Sequence, residues 1–169
     1  MTEIKFAKTR DGAIIPSKLE ENAGYDIYAC FDEDYITIAP HETKLIPTGI
    51  ASALDTDCYF QIEERGSTGS KGIKKSAGVI DSGFRGEWKI AITNSTDNRL
   101  FISKLSYEDT VKDYYGTEVN SNIVYSYYKA IAQAVLHRIP EHTVEEISYD
   151  SLKTIPSIRG TAMLGSSGK

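Results

Sequence analysis

Eight short apolar or alternating runs, parted by turn-forming residues, recur along most of this chain: 25–30 (YDIYAC), 35–39 (YITIA), 44–51 (KLIPTGIA), 58–63 (CYFQIE), 77–81 (AGVID), 87–93 (EWKIAIT), 99–105 (RLFISKL) and 130–139 (AIAQAVLHRI). Runs of this length bounded by Gly, Pro, Asn and Asp read as strands, and their even spacing suits a sandwich, barrel or jelly roll. Eleven tyrosines and 13 glycines also favour sheet over helix. The expected class is therefore all-β. Helix is expected only briefly, over Tyr107 to Tyr115 behind a Ser106 cap and in a turn near Tyr149 to Lys153.

A chain of 169 residues with 40% apolar and 25% charged residues suits a single folded domain. Its net charge of −5 would repel a nucleic-acid backbone, so no nucleic-acid partner is expected. Cys30 and Cys58 belong to no metal-binding cluster and read as reduced core thiols. No apolar run approaches the length of a membrane span, so no membrane partner and a cytoplasmic location are expected.

Residues 95–128 read as an insertion between two strands, rich in Ser, Thr, Asn and Asp and carrying Tyr107, Tyr114, Tyr115, Tyr125, Tyr127 and Tyr128. Rings this dense must cover a surface, either of their own subunit or of a partner. The expected division is a β-domain over 1–156 and a Gly/Ser-rich tail over 157–169.

Three segments invite chemistry. In GVIDSGFRGEW (Gly78 to Trp88), Asp81 stands at the bend of an expected hairpin, where it serves either as an Asx-turn residue or as a carboxylate beside main-chain groups able to read a nucleobase edge. In ERGSTGSKGI (Glu64 to Ile73), small residues let the main chain approach phosphate oxygens, with Arg65 and Lys71 as cations; the alternative is a flexible turn. It fails the Walker A pattern, because Lys71 follows Ser70 and precedes Gly72. The third segment, Arg159-Gly160 followed by GSSG, again joins a guanidinium to small hydroxyl residues. His41, His137 and His142 lack metal-ligand spacing, and Trp88 reads as core.

In order, AGYDIYA (Ala23 to Ala29), ERGSTGSKGI, AGVIDSGFRGE (Ala77 to Glu87), AIAQAVL (Ala130 to Leu136) and RGTAMLGSSGK (Arg159 to Lys169) resemble the five motifs of the homotrimeric dUTP diphosphatases (dUTPases), with LIPTGIA (Leu45 to Ala51) as further support. The resemblance implies a distorted jelly-roll or β-clip barrel that hydrolyses dUTP to dUMP and pyrophosphate. Asp81 takes the position of the general base that activates water for attack on the α-phosphorus. Gly78, Ile80 and Lys89 match main-chain positions that read uracil, and Phe84 stands where a tyrosine usually packs on deoxyribose. Arg65, Gly66, Ser67 and Gln133 match phosphate- and water-holding positions; Arg159, Leu164, Gly165, Ser166 and Ser167 match the tail that closes the active site. Mg²⁺ is the implied cofactor, held mainly by the substrate phosphates, and Asp26 either positions it through water or is a structural turn residue.

The sequence departs from the family pattern at Gly66, which replaces a serine, at Leu164, which replaces a phenylalanine, and at Tyr128-Lys129-Ala130, which replaces a Gly-Asp-Arg lead-in. A homotrimer with shared sites is implied, and 95–128 offers a place for a regulatory protein of the kind that some phage relatives engage. Two other activities compete with dUTP hydrolysis. A related dCTP deaminase would need a glutamate where this chain has Ala91, and a nucleotide-sensing or repressor-binding module would bind without turnover.

Overall fold

The computed structural model describes residues 3–117 and 121–162. Twelve strands form among them: β1 (Ile4–Lys8), β2 (Gly24–Ile27), β3 (Tyr35–Ile38), β4 (Thr43–Pro47), β5 (Ile50–Leu54), β6 (Cys58–Glu63), β7 (Ile73–Lys75), β8 (Val79–Asp81), β9 (Lys89–Asn94), β10 (Arg99–Ser103), β11 (Asn122–Ser126) and β12 (Ala132–Arg138). Three short helices join them: α1 (Gly66–Gly69), α2 (Tyr107–Tyr115) and α3 (Tyr149–Thr154). No helix among the described residues is long and apolar enough to cross a membrane.

The strands pair as β1-β5, β11-β10-β3, β2-β12-β6-β8 and β4-β9-β7. In β6 the alternation CYFQIE buries Cys58, Phe60 and Ile62 and turns Tyr59, Gln61 and Glu63 outward, as a half-buried strand must. Phe60 and Trp88 are fully buried with ring centroids 5.3 Å apart, and Phe6 packs against both. Ile27, Ile46, Ile62, Ile90 and Leu100 complete the same core. Cys30 and Cys58 are buried and form no disulfide.

Three expectations are corrected by the tertiary structure. The run 44–51 is broken in two at Gly49, whose φ of +67° interrupts the extended backbone between β4 and β5. The bend at Asp81 is not a hairpin: β8 pairs with β6 while β9 pairs with β4 and β7, so residues 81–88 turn a corner between two sheets. The span 95–128 is not one inserted segment, because Leu100, Phe101 and Ile102 of β10 are fully buried. Its polar start is a tight connection stitched by buried Asn94, whose Nδ2 donates to the carbonyls of Ile38, Ala39 and Asn98 and whose Oδ1 accepts from Thr96. Polar residues that satisfy one another this way resemble a loop in sequence.

What does stand apart is α2 with β11. Ser106 Oγ accepts from Asp109 N at 3.1 Å and Gly116 ends the helix at φ +72°. α2 is the crossover that lets β11 lie parallel to β10, an arrangement that a tight turn cannot make. The tyrosines pack back on their own chain: Tyr125 is buried, Tyr127 meets Phe31 edge-on, and Tyr114 meets Tyr35 and Phe101. Tyr128 is 70% exposed.

The chain divides into two compact units, Met1–Ile139 and Pro140–Lys169, ahead of the expected boundary at 156. The second unit holds α3, capped by Ser148 Oγ accepting from Ser151 N at 3.0 Å, with no buried residue in the helix.

Candidate active site

The Glu64–Ile73 loop begins with one turn of helix rather than an open coil. Arg65 N donates to Thr68 Oγ1 at 3.1 Å, and the buried Thr68 hydroxyl donates back to the Arg65 carbonyl at 2.9 Å. Gly66 and Ser67 are left exposed, with first-turn N–H groups that α1 itself does not use. The Arg65 Nε lies 3.0 Å from Asp26 Oδ1 across an adjoining cleft. Arg65 Nη1 also donates to the Ala130 carbonyl at 3.4 Å, which in turn accepts from Tyr125 Oη at 2.7 Å.

This cleft, of about 490 Å³, is lined by Asp26, Arg65, Gly66, Ser67, Gln133 and the Glu21–Gly24 stretch. Gln133 sits directly opposite Asp26 on β2 and Glu63 on β6, and its Nε2 donates to the Glu64 carbonyl at 2.8 Å. Small residues, first-turn N–H groups, an amide and one guanidinium converge here. That donor set suits phosphate oxygens.

A second cleft, of about 330 Å³, lies at the corner after β8 and is lined by Leu45, Val79, Ile80, Asp81, Phe84, Glu87 and Lys89. Asp81 is exposed, and its carbonyl accepts from Phe84 N at 3.1 Å, closing the turn that presents both side chains. Phe84 is 44% exposed, a ring available to a flat apolar partner. The Gly78 carbonyl is already occupied by Ile62 N at 2.9 Å and Gln61 Nε2 at 3.3 Å.

Asp81 and Gln133 rise from the same face of the β2-β12-β6-β8 sheet, since Asp81 pairs with Tyr59 and Gln133 with Glu63. Strand spacing and rise put them roughly 16 Å apart. One chain therefore presents two separate clefts, not one pocket. Lys71 joins neither: its Nζ sits 5.9 Å from the centre of the Tyr125 ring, so the expected grouping of Lys71 with Arg65 is corrected. Loop proximity in sequence misled because α1 turns the chain between them. Arg159 lies exposed in a turn of the second unit. Leu164, Gly165, Ser166 and Ser167 lie outside the described residues.

Two residues passed over in sequence also shape the site. Glu87 Oε1 accepts from Gly49 N at 2.9 Å and meets Arg10 Nε at 3.2 Å, while Arg85 bonds the main chain of the corner. Both sit inside the third motif, but surface charges beside a bend carry no distinguishing signal.

Residues 10–106 match the model of the dUTPase family. The chain belongs to that family. Deoxyuridine 5'-triphosphate nucleotidohydrolase of Leptospira interrogans is 35% identical over 104 residues, 59% of this chain and 71% of that protein. The Clostridioides difficile enzyme of the same name is 36% identical over 108 residues, 62% and 73% of the two chains. Among solved structures, the dUTPase of Staphylococcus bacteriophage 80alpha with dUpNHpp aligns at TM-score 0.72 and 20% identity, over 99% of each chain. The dUTPase-family fold is thus an all-β distorted jelly roll, as the strand runs predict. The family match ends at 106, just before α2.

Proposed function

We infer that this chain hydrolyses dUTP to dUMP and pyrophosphate. The observation that carries the reading is the pairing of two complementary half-sites on one sheet face in a dUTPase-family chain: a phosphate-type cleft at Arg65, Ser67 and Gln133, and a cleft with a carboxylate and a ring at Asp81 and Phe84. A nucleotide places its base and sugar in the second and its phosphates against the first. Asp81 accepts a proton from water as that water attacks the α-phosphorus, and pyrophosphate leaves. The Gln133 amide and the N–H groups of Gly66 and Ser67 hold phosphate oxygens or the water; Arg65 offsets charge building on the equatorial oxygens. Gly78, Ile80 and Lys89 are assigned to uracil and Phe84 to the sugar face.

Because a water cannot touch two groups roughly 16 Å apart, the half-sites that meet at one nucleotide come from different subunits. A homotrimer with shared sites is the assembly we propose. No cluster of three metal-ligating side chains exists among the described residues, and of the two carboxylates that line the phosphate-type cleft, Glu21 and Asp26, Asp26 is paired with Arg65. That fits magnesium carried by the triphosphate, with Asp26 reaching it through water. Bound magnesium would offset phosphate charge.

Arg159, Leu164, Gly165, Ser166 and Ser167 are assigned to the tail on sequence alone, and truncation after Arg159 tests them: full-speed hydrolysis would remove the tail from the mechanism. A cytoplasmic location is proposed from the two buried cysteines, which form no disulfide. A regulatory protein is proposed to meet α2 and β11, where Tyr107, Tyr114 and Tyr115 are each more than a third exposed. Deamination of dCTP lacks support, since Ala91 offers no proton carrier. Purified protein given Mg²⁺ with dUTP or dCTP decides: pyrophosphate from dUTP alone is expected, and ammonia from dCTP or no product overturns the reading.

A further inference from the structure

The corner that carries Asp81 and Phe84 lacks the support that a hairpin would have. β8 is laddered to β6 and β9 to β4 and β7, so no cross-strand ladder joins the two arms. A Cβ added at Gly83 would meet nothing within 4 Å, so the tip of the corner has open space beside it; the Phe84 ring folds back over the corner's own Gly86, where a Cβ would come 2.6 Å from Phe84 Cζ, and not onto the barrel. The main-chain bond from Phe84 N to the Asp81 carbonyl at 3.1 Å closes the turn without tying it to the barrel, so the turn as a whole would wander by more than the tolerance of an in-line reaction.

Arg85 supplies the missing restraint. Its Nη1 lies 2.6 Å from the Ser82 carbonyl and 3.3 Å from the Phe84 carbonyl, bracketing the turn from within. The same nitrogen lies 3.2 Å from the Ser52 carbonyl on β5. Two hydrogens shared among three acceptors tie the turn to itself and to the barrel wall. Beyond Arg85 the chain is bolted to the same wall: Gly49 N donates to Glu87 Oε1 at 2.9 Å, Trp88 N to the Ile50 carbonyl at 2.7 Å, and Thr48 Oγ1 to the Trp88 carbonyl at 2.7 Å. Those three bonds fix the root of the corner. Among the described residues, only Arg85 reaches the turn's own carbonyls with a side chain.

We propose that Arg85 is a positioning residue that sets the distance of Asp81 from the reacting phosphorus and the height of the Phe84 ring over the sugar, and so governs discrimination between deoxyribose and ribose. This rests on the dUTP-hydrolysis reading. Phe84 can exclude a 2′-hydroxyl only while the turn is held down, so releasing the turn relaxes sugar choice as well as slowing turnover.

The test compares wild type, Arg85→Ala and Arg85→Lys, with Mg²⁺ and either dUTP or UTP. Arg85→Ala is expected to lower kcat/KM for dUTP by about 10²-fold and the dUTP-over-UTP preference by roughly 5-fold or more. Lysine, which keeps a donor of similar reach, restores most of both. The melting temperature stays put, because Arg85 is exposed. Hydrogen exchange at the amides of residues 82–86 speeds up in Arg85→Ala. An unchanged preference with unchanged exchange overturns the proposal, as does a loss that follows melting and is not rescued by lysine. Wild-type protein inert toward dUTP would sink the parent reading instead. The exchange comparison then decides the brace, faster exchange supporting it and equal exchange overturning it.

Discussion

Gln133 occupies the space that any side chain at position 24 would need: a Cβ on Gly24 would lie 2.5 Å from Gln133 Oε1 and 2.9 Å from Gln133 Cβ. The first and fourth motifs are thereby interlocked. Gly24→Ala must push the amide out of the phosphate-type cleft or bend β2. Overpacking of this kind costs about 1–3 kcal/mol, and turnover of dUTP should fall at least ~10-fold. Steady-state kinetics beside thermal unfolding checks both; an alanine variant with wild-type kcat would free Gln133 from its assigned role.

Asp81→Asn keeps the shape of the corner and removes the proton acceptor. Because Asp81 is exposed, folding is untouched. Nucleotide affinity should hold while kcat drops by about 10²-fold or more. Binding by calorimetry with a nonhydrolysable analogue, set against turnover, separates the two; equal kcat would exclude Asp81 as the base.

Tyr125 reaches the phosphate-type cleft from β11 through one carbonyl. Its hydroxyl donates to the Ala130 oxygen that also accepts from Arg65, at 2.7 and 3.4 Å. Tyr125→Phe should lower stability by about 1 kcal/mol. Arg65 should also become less well held, raising KM for dUTP by a few-fold with kcat little changed. If KM is identical in the variant, β11 is uncoupled from the cleft.

Tyr35 anchors α2 by donating to Asp113 Oδ2 at 2.7 Å, and this bond first, then burial, raises its pKa from 10.0 to about 12. A raised phenol pKa means that the folded state holds the proton more tightly. The stabilisation is therefore complete below pH 10, where an unfolded tyrosine is still protonated, and fades as pH climbs toward 12. Tyr35→Phe should melt lower than wild type at pH 8, with the gap closing above pH 10. A gap constant to pH 12 would mean that the bond contributes nothing.

Much of this protein is legible in its sequence. Alternation in CYFQIE, the Ser106 cap and Gly116 stop of α2, and the small-residue loops are local signals, and local signals survive in one dimension. β1, β7 and β11 carry no such signal: IKFAK and IKK are too charged or short, and NIVYS sits within a polar, Tyr-rich stretch that reads as an insertion. The residue types of both clefts were present in the motifs, whereas the role of Arg85 was hidden, since a guanidinium finds its carbonyls only once the Ser52 strand lies beneath the bend.

Residue chemistry and local conformation thus follow from the chain's order: a carboxylate at a bend, a guanidinium before glycine and serine, strands of period two. Partnership does not. That Asp81 and Gln133 share a face yet stand roughly 16 Å apart within a chain follows from strand register across β6. So does the parting of β8 from β9 into different sheets. Register is set by how whole sheets bury their apolar sides against one another, a sum over the entire core that no short stretch of residues contains.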